Sequence, residues 1–375
     1  MSSLDADETI RLTDYDALSS RVSCYLKGYI PHDTFILHLV PLVLYYHLNS
    51  IDSEFKKFAL TRKLKSQFFN FFSIPASNIN QLLNVDEQFY FNKINRFTPL
   101  KSPMINRGTY LRTISISNKI NDFLSSHTEQ DIQIISLGAG NDTRVFNILP
   151  TFPNVTYFEL DMDKTTRLKK LAILSSPLLS KQVGATNVET LPTNSLEINS
   201  FDPSLHTERY HLIPIDLRSL NESVDPGNIP HFTFIDNSKP TLIISECCIC
   251  YLQKDESNSL IKFWHQWIQH GQFLVYEPLG GTQDNNSKYG EVMIKNLLGR
   301  GIHMDTLMTY GSVEAQQERF DNLVSSNTWC KSMKWVYENE IEQSEKDRIS
   351  KLEMLDELEE LNLINSHYCL IISKF

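Results

Sequence analysis

The sequence has little cysteine, and its few thiols are not spaced like a disulfide framework. Six cysteines occur in 375 residues, and three of them fall together in ECCICYL (246–252). Small secreted domains that depend on disulfides are far richer in cysteine. The spacing C-C-x-C also lacks the second Cys or His pair that a zinc site needs. We therefore predict reduced thiols, no metal site, and small residues buried in a strand at 246–252. We expect a location in the cytoplasm, with the nucleus as an additional location.

Long apolar runs are absent as well. The most hydrophobic run, FILHLVPLVLYYHL (35–48), contains a proline and two histidines. It is also too short to span a membrane, because a membrane helix needs about 20 predominantly apolar residues. We expect a buried helix there instead. The first residues, MSSLDADETI (1–10), are acidic and carry neither the basic nor the apolar part of a secretory signal. We therefore expect no secretory leader and no membrane partner.

Positive charge is in deficit. The chain has 35 Lys and Arg against 45 Asp and Glu, a formal net charge of -10. Proteins that bind nucleic acid or anionic membranes by general electrostatics carry the opposite balance. The 41% of hydrophobic and 21% of charged residues are typical of a globular protein. We therefore expect no nucleic acid partner, and the length fits one elaborated domain or two small ones.

What the sequence does contain is an alternation of short apolar runs and longer amphipathic ones. The strand candidates are IQIISL (132–137), VTYFEL (155–160), YHLIPI (210–215), TLIISE (241–246) and FLVYEP (273–278), and helical patterns cover 142–149, 163–174, 255–270 and 287–299. This alternation predicts right-handed βαβ units on a mostly parallel sheet. Residues 10–125 show mostly helical spacing instead.

Two polar excursions and the C-terminal region complete the pattern. Residues 175–208 and 221–240 are rich in Ser, Asn, Thr and Pro, and we expect surface segments of mixed order there. The run SEKDRISKLEMLDELEELN (344–362) opens in capping-box spacing and predicts one strong helix with a solvated acidic face. The run HYCLIIS (367–373) predicts a last strand, paired antiparallel with 333–338.

A glycine turn follows the first strand candidate. In QIISLGAGNDT (133–143) an apolar run leads into Gly138 and Gly140. A phosphate-binding P-loop would end in Gly-Lys-Ser or Gly-Lys-Thr, and a dinucleotide fingerprint would need a third glycine where Thr143 stands. Because glycines also end strands for steric reasons, the turn alone is weak support for a nucleotide site.

Three acids end three of the apolar runs. Asp161 follows VTYFEL, Asp216 follows YHLIPI, and Glu246 ends TLIISE. Each alone would more often cap the next helix. Together they would face the crevice where open α/β sheets bind ligands, and Asp161 stands where nucleotide folds place an acid on the ribose hydroxyls. The acids would repel the pyrophosphate of NAD but attract the cationic groups of S-adenosylmethionine, so the pattern favours the methyl donor.

Several stretches, in order along the chain, resemble the leucine carboxyl methyltransferases. They are TDYDALSSR (13–21), GTYLRT (108–113), LGAGNDTR (137–144), FELD (158–161), IDL (215–217), SECCICYL (245–252) and EPLGG (277–281). Near the C-terminus, MTYGS, MLDELEEL and HYCLI resemble the branch that acts on a protein phosphatase. The resemblance implies an α/β, Rossmann-like fold of S-adenosylmethionine-dependent methyltransferases, with a mostly parallel sheet, a C-terminal antiparallel strand and an N-terminal helical lid.

The same resemblance implies an activity. The protein would esterify the α-carboxylate of the C-terminal leucine of the type 2A protein phosphatase catalytic subunit, leaving S-adenosylhomocysteine. An α-carboxyl group titrates near ~3.5 and is already ionised, so no general base is needed. We expect 1–125 to be a lid that binds substrate and 126–375 to be the core that binds the methyl donor. The two parts would form one integrated catalytic domain, and the protein would be a monomer. The segments 66–95 and 175–208 are longer than the resemblance leads us to expect.

Position by position, the resemblance implies a set of site residues. Arg21 and Arg112 would bind the donor's methionine carboxylate, Gly138 and Gly140 would lie against the donor, Asp161 would hold the ribose, Asp216 with Leu217 would contact the adenine, and Glu246 would lie near the amino acid end. Many relatives carry lysine where this chain has Arg21, which preserves the charge but not the geometry. Arg112, Tyr110 and Tyr251 would position the reactants, the tyrosines by lining the leucine and methyl pocket. For each tyrosine the alternative is a buried core position.

Three other functions stay open at this point. A tRNA wybutosine carboxyl methyltransferase of the same family would carry a long C-terminal propeller and a basic surface. A non-catalytic binding module would keep the fold without needing Arg112, Asp161 and Glu246, all of which are present. A dehydrogenase is disfavoured by Thr143 and by the acids at the strand ends.

Overall fold

The computed structural model describes residues 3–68, 100–186, 190–281, 287–324 and 327–375. Within these ranges, eight strands form one sheet: β1 (Ile132–Leu137), β2 (Val155–Asp161), β3 (Leu205–His206), β4 (Tyr210–Pro214), β5 (Thr241–Glu246), β6 (Gly271–Pro278), β7 (Thr328–Ser332) and β8 (Tyr368–Lys374). Their order across the sheet is β3-β4-β2-β1-β5-β6-β8-β7. The five strands predicted between 132 and 278 are present with closely similar bounds.

The central strands of the sheet run parallel. β1 pairs with β2 and β5, β2 also pairs with β4, and β5 also pairs with β6, all in parallel register. β8 runs antiparallel to both β6 and β7, and β3 is antiparallel to β4. The near-continuous apolar runs of the parallel strands fit strands that are covered on both faces. The predicted mostly parallel sheet with a C-terminal antiparallel strand is confirmed.

Helices cover both faces of the sheet. Among the described residues they are α1 (Ser3–Leu26), α2 (Ile36–Asn49), α3 (Glu54–Phe68), α4 (Pro103–Ser125), α5 (Val145–Thr151), α6 (Asp163–Ser175), α7 (Pro177–Val183), α8 (Ser195–Ser200), α9 (Lys254–Trp267), α10 (Ser287–Gly299), α11 (Thr306–Thr309), α12 (Val313–Leu323), α13 (Met333–Asn339), α14 (Gln343–Ser350) and α15 (Leu358–Ser366). The four helical patterns predicted between the strands correspond to α5, α6, α9 and α10. The apolar run 35–48 is the buried helix α2, which accommodates Pro41. No helix among the described residues combines the length and apolarity that crossing a membrane requires.

Two hydrophobic cores lie on opposite faces of the sheet, because successive side chains of a strand point to opposite sides. Ile134 and Tyr157 belong to the core that contains the buried side chains of α1, α2 and α4. Their neighbours Ile135 and Phe158 belong to the core that contains Trp264 of α9. The N-terminal helices are therefore packed directly on the sheet. The functional division into a lid at 1–125 and a core at 126–375 stays a prediction.

The C-terminal region differs from the prediction in two ways. Residues 344–362 do not form one helix, since α14 ends at Ser350 and α15 begins at Leu358. Between these helices, the side chain of Glu353 is largely buried. It accepts a hydrogen bond from Asn106 Nδ2 at 2.7 Å and forms an ion pair with Lys27 Nζ at 2.9 Å. Closely spaced acids also repel one another along a helix. The helix begins after Glu342, which provides no side-chain cap, so the expected capping box is absent.

The strand partner expected for β8 was also wrong. Residues 333–339 form the helix α13, which Ser332 caps by accepting a hydrogen bond from the Trp335 N–H. β8 pairs on one side with β7, which ends just before α13, and on its other side with β6. The antiparallel partner of β8 therefore lies just N-terminal to the predicted residues, because the apolar pattern at 333–338 belongs to a short helix.

Three other segments complete the comparison with the sequence. In ECCICYL only Glu246 belongs to a strand, and residues 249–251 form a short 3-10 helix, so the prediction of a strand through 252 was wrong. The excursion at 175–208 contains α7, α8 and β3, with residues 187–189 outside the described ones. Most of the segment 66–95 lies outside the described residues as well.

Candidate functional site

A cavity of about 450 Å³ lies at the carboxyl ends of the parallel strands. The glycine turn after β1 lines it, together with the residues that end β2 and β5 and those that follow β4. Side chains of α1 and α10 line it too. Open α/β sheets bind their ligands at this edge, because the loops that follow parallel strands all emerge there.

The cavity brings together nearly all the site residues predicted from the sequence. Those that line it are Arg21, Arg112, Gly138, Gly140, Asp161, Asp216, Leu217, Glu246 and Tyr251. Tyr110 is not among them: its ring is buried, and its hydroxyl donates to Glu345 Oε2 at 2.9 Å. Of the two positions considered for Tyr110, the structure shows the buried core position and not the lining of the pocket. Residues two apart on a helix point in different directions, so Tyr110 and Arg112 of α4 cannot both face the cavity.

The glycine turn is held in shape by neighbouring acids. Gly138 and Gly140 have positive φ angles of 59° and 49°, which residues other than glycine rarely adopt. A Cβ at Gly140 would also lie 2.5 Å from Asp14 Oδ1. Asp161 accepts hydrogen bonds from the Gly140 N–H and from the Met162 N–H, both at 2.7 Å. The acid at the end of β2 therefore anchors the turn after β1.

Burial affects the acids beside this turn. It raises the pKa of Asp161 above its usual value, although the N–H groups of Gly140 and Met162 oppose the shift. Burial raises the pKa of Asp14 as well, against the hydrogen bonds from Asn141. Both carboxylates would therefore gain from further hydrogen-bond donors, since donors favour the charged form.

Buried ion pairs form a chain beside the turn. In order, its members are Arg112, Glu246, Arg144, Asp142, Arg21 and Asp33. The N···O distances lie between 2.5 and 3.0 Å. Because three guanidinium groups alternate with three carboxylates, the chain is neutral as a whole and can accept a zwitterionic ligand without building up charge.

Glu246 lies between two guanidinium groups of this chain. Its Oε1 accepts from Arg112 Nε at 2.5 Å and its Oε2 from Arg144 Nη1 at 2.7 Å. Burial alone would raise the pKa of Glu246, but the two arginines outweigh it and hold the pKa at about 2. Burial opposes the ionisation of Asp142 too, and Arg144 and Arg21 nevertheless lower its pKa far below the usual value. Both carboxylates are therefore ionised at neutral pH.

Arg144 supports the cavity through the ion-pair chain without lining it, and sequence reasoning missed it. Its side chain is 8% exposed, and its Nε and Nη2 have no hydrogen-bond partner within the part of the chain that the structure describes. The signal was present, because Arg144 ends LGAGNDTR, one of the stretches that carry the family resemblance. Asp33 was missed without such a signal, since nothing near it in sequence resembles a binding motif.

At the other end of the cavity, Asp216 follows β4. Its carboxylate accepts hydrogen bonds from the backbone and side chain of Arg218, which also binds Asp7 of α1 with both Nη groups. Leu217 is buried beside it. α1 is therefore tied to the strand ends on two sides, by Asp7 here and by Asp14 at the glycine turn.

Two cysteines and a tyrosine line the cavity after β5. Cys247 adopts a positive φ of 50°, a strained backbone conformation for a residue other than glycine. Burial raises the pKa values of the Cys247 and Cys248 thiols and of the Tyr251 hydroxyl. All three groups therefore stay protonated at neutral pH and cannot act there as anionic nucleophiles.

Comparison with known proteins shows which family this chain belongs to. The model of the family described as leucine carboxyl methyltransferase matches residues 62–265. The protein named leucine carboxyl methyltransferase 1 from Candida albicans is 32% identical, over 98% of this chain and 93% of its own length. The chain belongs to the leucine carboxyl methyltransferase family. Relatives of the same name in Debaryomyces hansenii and Yarrowia lipolytica are 34% and 33% identical, each over 98% of this chain and over 93% and 97% of their own lengths.

Solved structures overlap with this leucine carboxyl methyltransferase family member less closely. A DUF574 family protein from Streptomyces avermitilis has a TM-score of 0.45 at 9% identity, covering 72% of this chain and 84% of its own. A putative sarcosine dimethylglycine methyltransferase from Galdieria sulphuraria has a TM-score of 0.40 at 13% identity, covering 73% and 90%. The family match and the sheet topology confirm the predicted Rossmann-like methyltransferase fold.

Proposed function

We propose that this protein transfers a methyl group from S-adenosylmethionine to the α-carboxylate of the C-terminal leucine of the type 2A protein phosphatase catalytic subunit, forming a methyl ester. Family membership supports carboxyl methylation as the reaction. The observation that carries the proposal is the cavity itself, where the strand-end acids Asp161, Asp216 and Glu246 meet the glycine turn and the arginine Arg112.

The hydrogen-bond acceptors of the cavity fit S-adenosylmethionine. Asp161 uses its carboxylate for two backbone N–H groups, and each oxygen has a further lone pair for a ribose hydroxyl. Asp216 and Leu217 offer an acceptor and an apolar surface for the adenine. When bound, this donor supplies a methyl group on a positively charged sulfur.

Arg112 is the residue best placed for the donor's carboxylate. Within the described residues only its Nε has a hydrogen-bond partner, Glu246, which leaves both Nη groups for a two-pronged contact. Arg21 differs, because its Nη groups already donate to Asp142, Asp33 and Thr143. We therefore assign the direct contact to Arg112 and a supporting positive charge to Arg21.

The protein's task in the transfer is alignment and exclusion of water. The acceptor is ionised at neutral pH and needs no base, which agrees with a cavity whose Cys247, Cys248 and Tyr251 stay protonated. Neutralisation of charge in the reaction is favoured in a dry site, and holding the reacting atoms in line removes much of the barrier. The Tyr251 hydroxyl can donate a hydrogen bond that orients the acceptor, and α1 and α10 screen the cavity.

A labelling experiment tests the proposed function. Purified protein is incubated with methyl-labelled S-adenosylmethionine and the intact phosphatase catalytic subunit, or with the same subunit lacking its terminal leucine. We expect label on the intact subunit only, released as methanol in mild alkali because esters are base-labile. Alkali-stable label, or equal labelling of the truncated subunit, would refute the proposal.

A further inference from the structure

One wall of the cavity has no part in the contacts proposed for the methyl donor. It consists of Met293 and Leu297 of α10 together with Arg300 and Met304, which follow that helix. Met293, Leu297 and Arg300 are spaced i, i+4 and i+7, so they share one helical face. The first turn beyond α10 continues this face, since the Arg300 N–H donates to the Leu297 carbonyl at 2.9 Å.

Close glycine contacts hold this wall in place. A Cβ at Gly290 of α10 would overlap the Gly280 carbonyl oxygen, so only glycine permits the approach of the helix to the turn after β6. The Gly281 N–H donates to the Gly311 carbonyl at 2.8 Å, and a Cβ at Gly311 would collide with the Gly281 carbonyl. Backbone contacts of this kind cannot be relieved by a side-chain rotation. The start of α10 is therefore packed directly against the backbone that follows β6.

Arg300 is the most accessible arginine of the cavity. Its side chain is 47% exposed, whereas the other cavity-lining arginines, Arg11, Arg21, Arg112 and Arg218, are between 7% and 34% exposed. Among the described residues its side chain pairs with Asp16 of α1 through Nη2 alone. Asp16 is itself 35% exposed and also accepts a hydrogen bond from Gln67. Exposed ion pairs are weak, so Arg300 can exchange this partner for another anion.

We propose that this wall selects the acceptor: Arg300 draws a terminal carboxylate into the cavity, and Met293, Leu297 and Met304 contact the apolar side chain of the same residue. The inference rests on the proposed function and adds to it the residues that determine specificity. A C-terminal apolar residue offers one anion beside one apolar group, and the wall offers one accessible cation beside three apolar side chains. Asp16 competes with the acceptor for Arg300.

The competition separates this role from a purely structural one. If the ion pair only held α1 against α10, removing either partner would weaken the protein in the same way. If Arg300 guides the acceptor, Arg300→Ala removes the cation, whereas Asp16→Asn releases it and still leaves an oxygen that can accept from Gln67. The two substitutions should then change the KM for the acceptor in opposite directions.

The experiment measures the KM for the intact phosphatase catalytic subunit, with Lys295→Ala as the matched control. Lys295 is an exposed cation of the same helix that does not line the cavity. We expect Arg300→Ala to raise the KM about tenfold at low salt and less at high salt, Asp16→Asn to lower it, and Lys295→Ala to leave it unchanged. Calorimetry with S-adenosylmethionine should show the same affinity for the wild type and all three variants. A rise of similar size in both Arg300→Ala and Asp16→Asn would overturn the inference.

The apolar half of the wall is tested by substrate choice. The kcat/KM values for phosphatase subunits that end in leucine or in alanine are compared in Leu297→Ala and in Met293→Ala. The control is Leu298→Ala, because the Leu298 side chain is 48% exposed and does not line the cavity. We expect the preference for leucine to fall about tenfold in the first two variants and to persist in the control. Unchanged preference in both cavity variants would refute this half. If the wild type labels neither subunit, it is the proposed function that fails.

Discussion

Replacing Arg144 by methionine should destabilise the protein and weaken the site at the same time. The substitution keeps an unbranched side chain and removes the guanidinium that bridges Asp142 and Glu246, at 2.9 and 2.7 Å. Those carboxylates are only 10% and 19% exposed, so water replaces the lost partner only in part. Removing one member of a buried ion pair typically costs about 3–5 kcal/mol. Because each carboxylate keeps a second arginine, we expect a loss at pH 7 near the lower end of that range.

The pKa of Glu246 fixes the pH dependence. A lowering from 4.5 to about 2 corresponds to roughly 3 kcal/mol of stabilisation, which Arg144 shares with Arg112. Because the folded-state pKa is depressed, this stability is present above about pH 4.5 and is lost as the pH falls towards 2. Without Arg144, less positive charge opposes the effect of burial, and the pKa of Glu246 rises. The deficit of Arg144→Met relative to wild type should therefore be largest near pH 7 and shrink on acidification.

Urea unfolding followed by circular dichroism, at several pH values between 4 and 7, measures this deficit. Arg144→Lys is the control, because it keeps a positive charge but makes fewer hydrogen bonds, and it should lose less stability than Arg144→Met. Calorimetry with S-adenosylmethionine on the folded fraction reports the accompanying loss of affinity. A deficit below about 1 kcal/mol at pH 7, or one that does not shrink when the series is extended from pH 4 to about pH 3, would refute the account of Arg144 as a buried bridge.

Three further predictions follow from the same contacts. Asp161→Ala should weaken S-adenosylmethionine binding by roughly 1–3 kcal/mol, because the ribose loses a charged acceptor; unchanged affinity by calorimetry would remove Asp161 from the site. Arg112→Lys should lose at least about tenfold in kcat/KM for the donor, since a point charge replaces a two-pronged contact, and full activity would contradict that contact. Burial raises the pKa of Glu277 from 4.5 to about 8, so this carboxyl contributes a fall in the free energy of unfolding as the pH rises between those values. Glu277→Gln should remove that contribution, so urea titrations should show a difference between wild type and variant that changes with pH, and a constant difference would contradict the buried, protonated carboxyl.

Sequence alone was sufficient for the features that depend on local patterns. Apolar runs such as 132–137 and 241–246 identify parallel strands, because a strand buried on both faces needs an unbroken apolar run. The positions of Asp161, Asp216 and Glu246 at strand ends then follow from the sheet, since parallel strands present their carboxyl ends at one edge. The stretches GTYLRT and LGAGNDTR were specific enough to indicate the family.

Local patterns failed where a distant contact decides the outcome. The helix expected over 344–362 breaks because Glu353 binds Asn106, which is 247 residues away, and nothing near Glu353 in sequence reports that partner. Tyr110 faces away from the cavity because α4 turns Arg112 inward, and only the packing of that helix selects which face points to the site.

Tertiary structure also decided the electrostatics of the site. Arg112 and Glu246 lie 134 residues apart, and Arg21 and Asp142 lie 121 apart, yet they form one neutral chain of ion pairs. An acid or an arginine read in isolation has no defined pKa or role. Its pKa is set by burial and by the charges a few ångströms away, and the fold brings those charges together from segments that are distant in sequence.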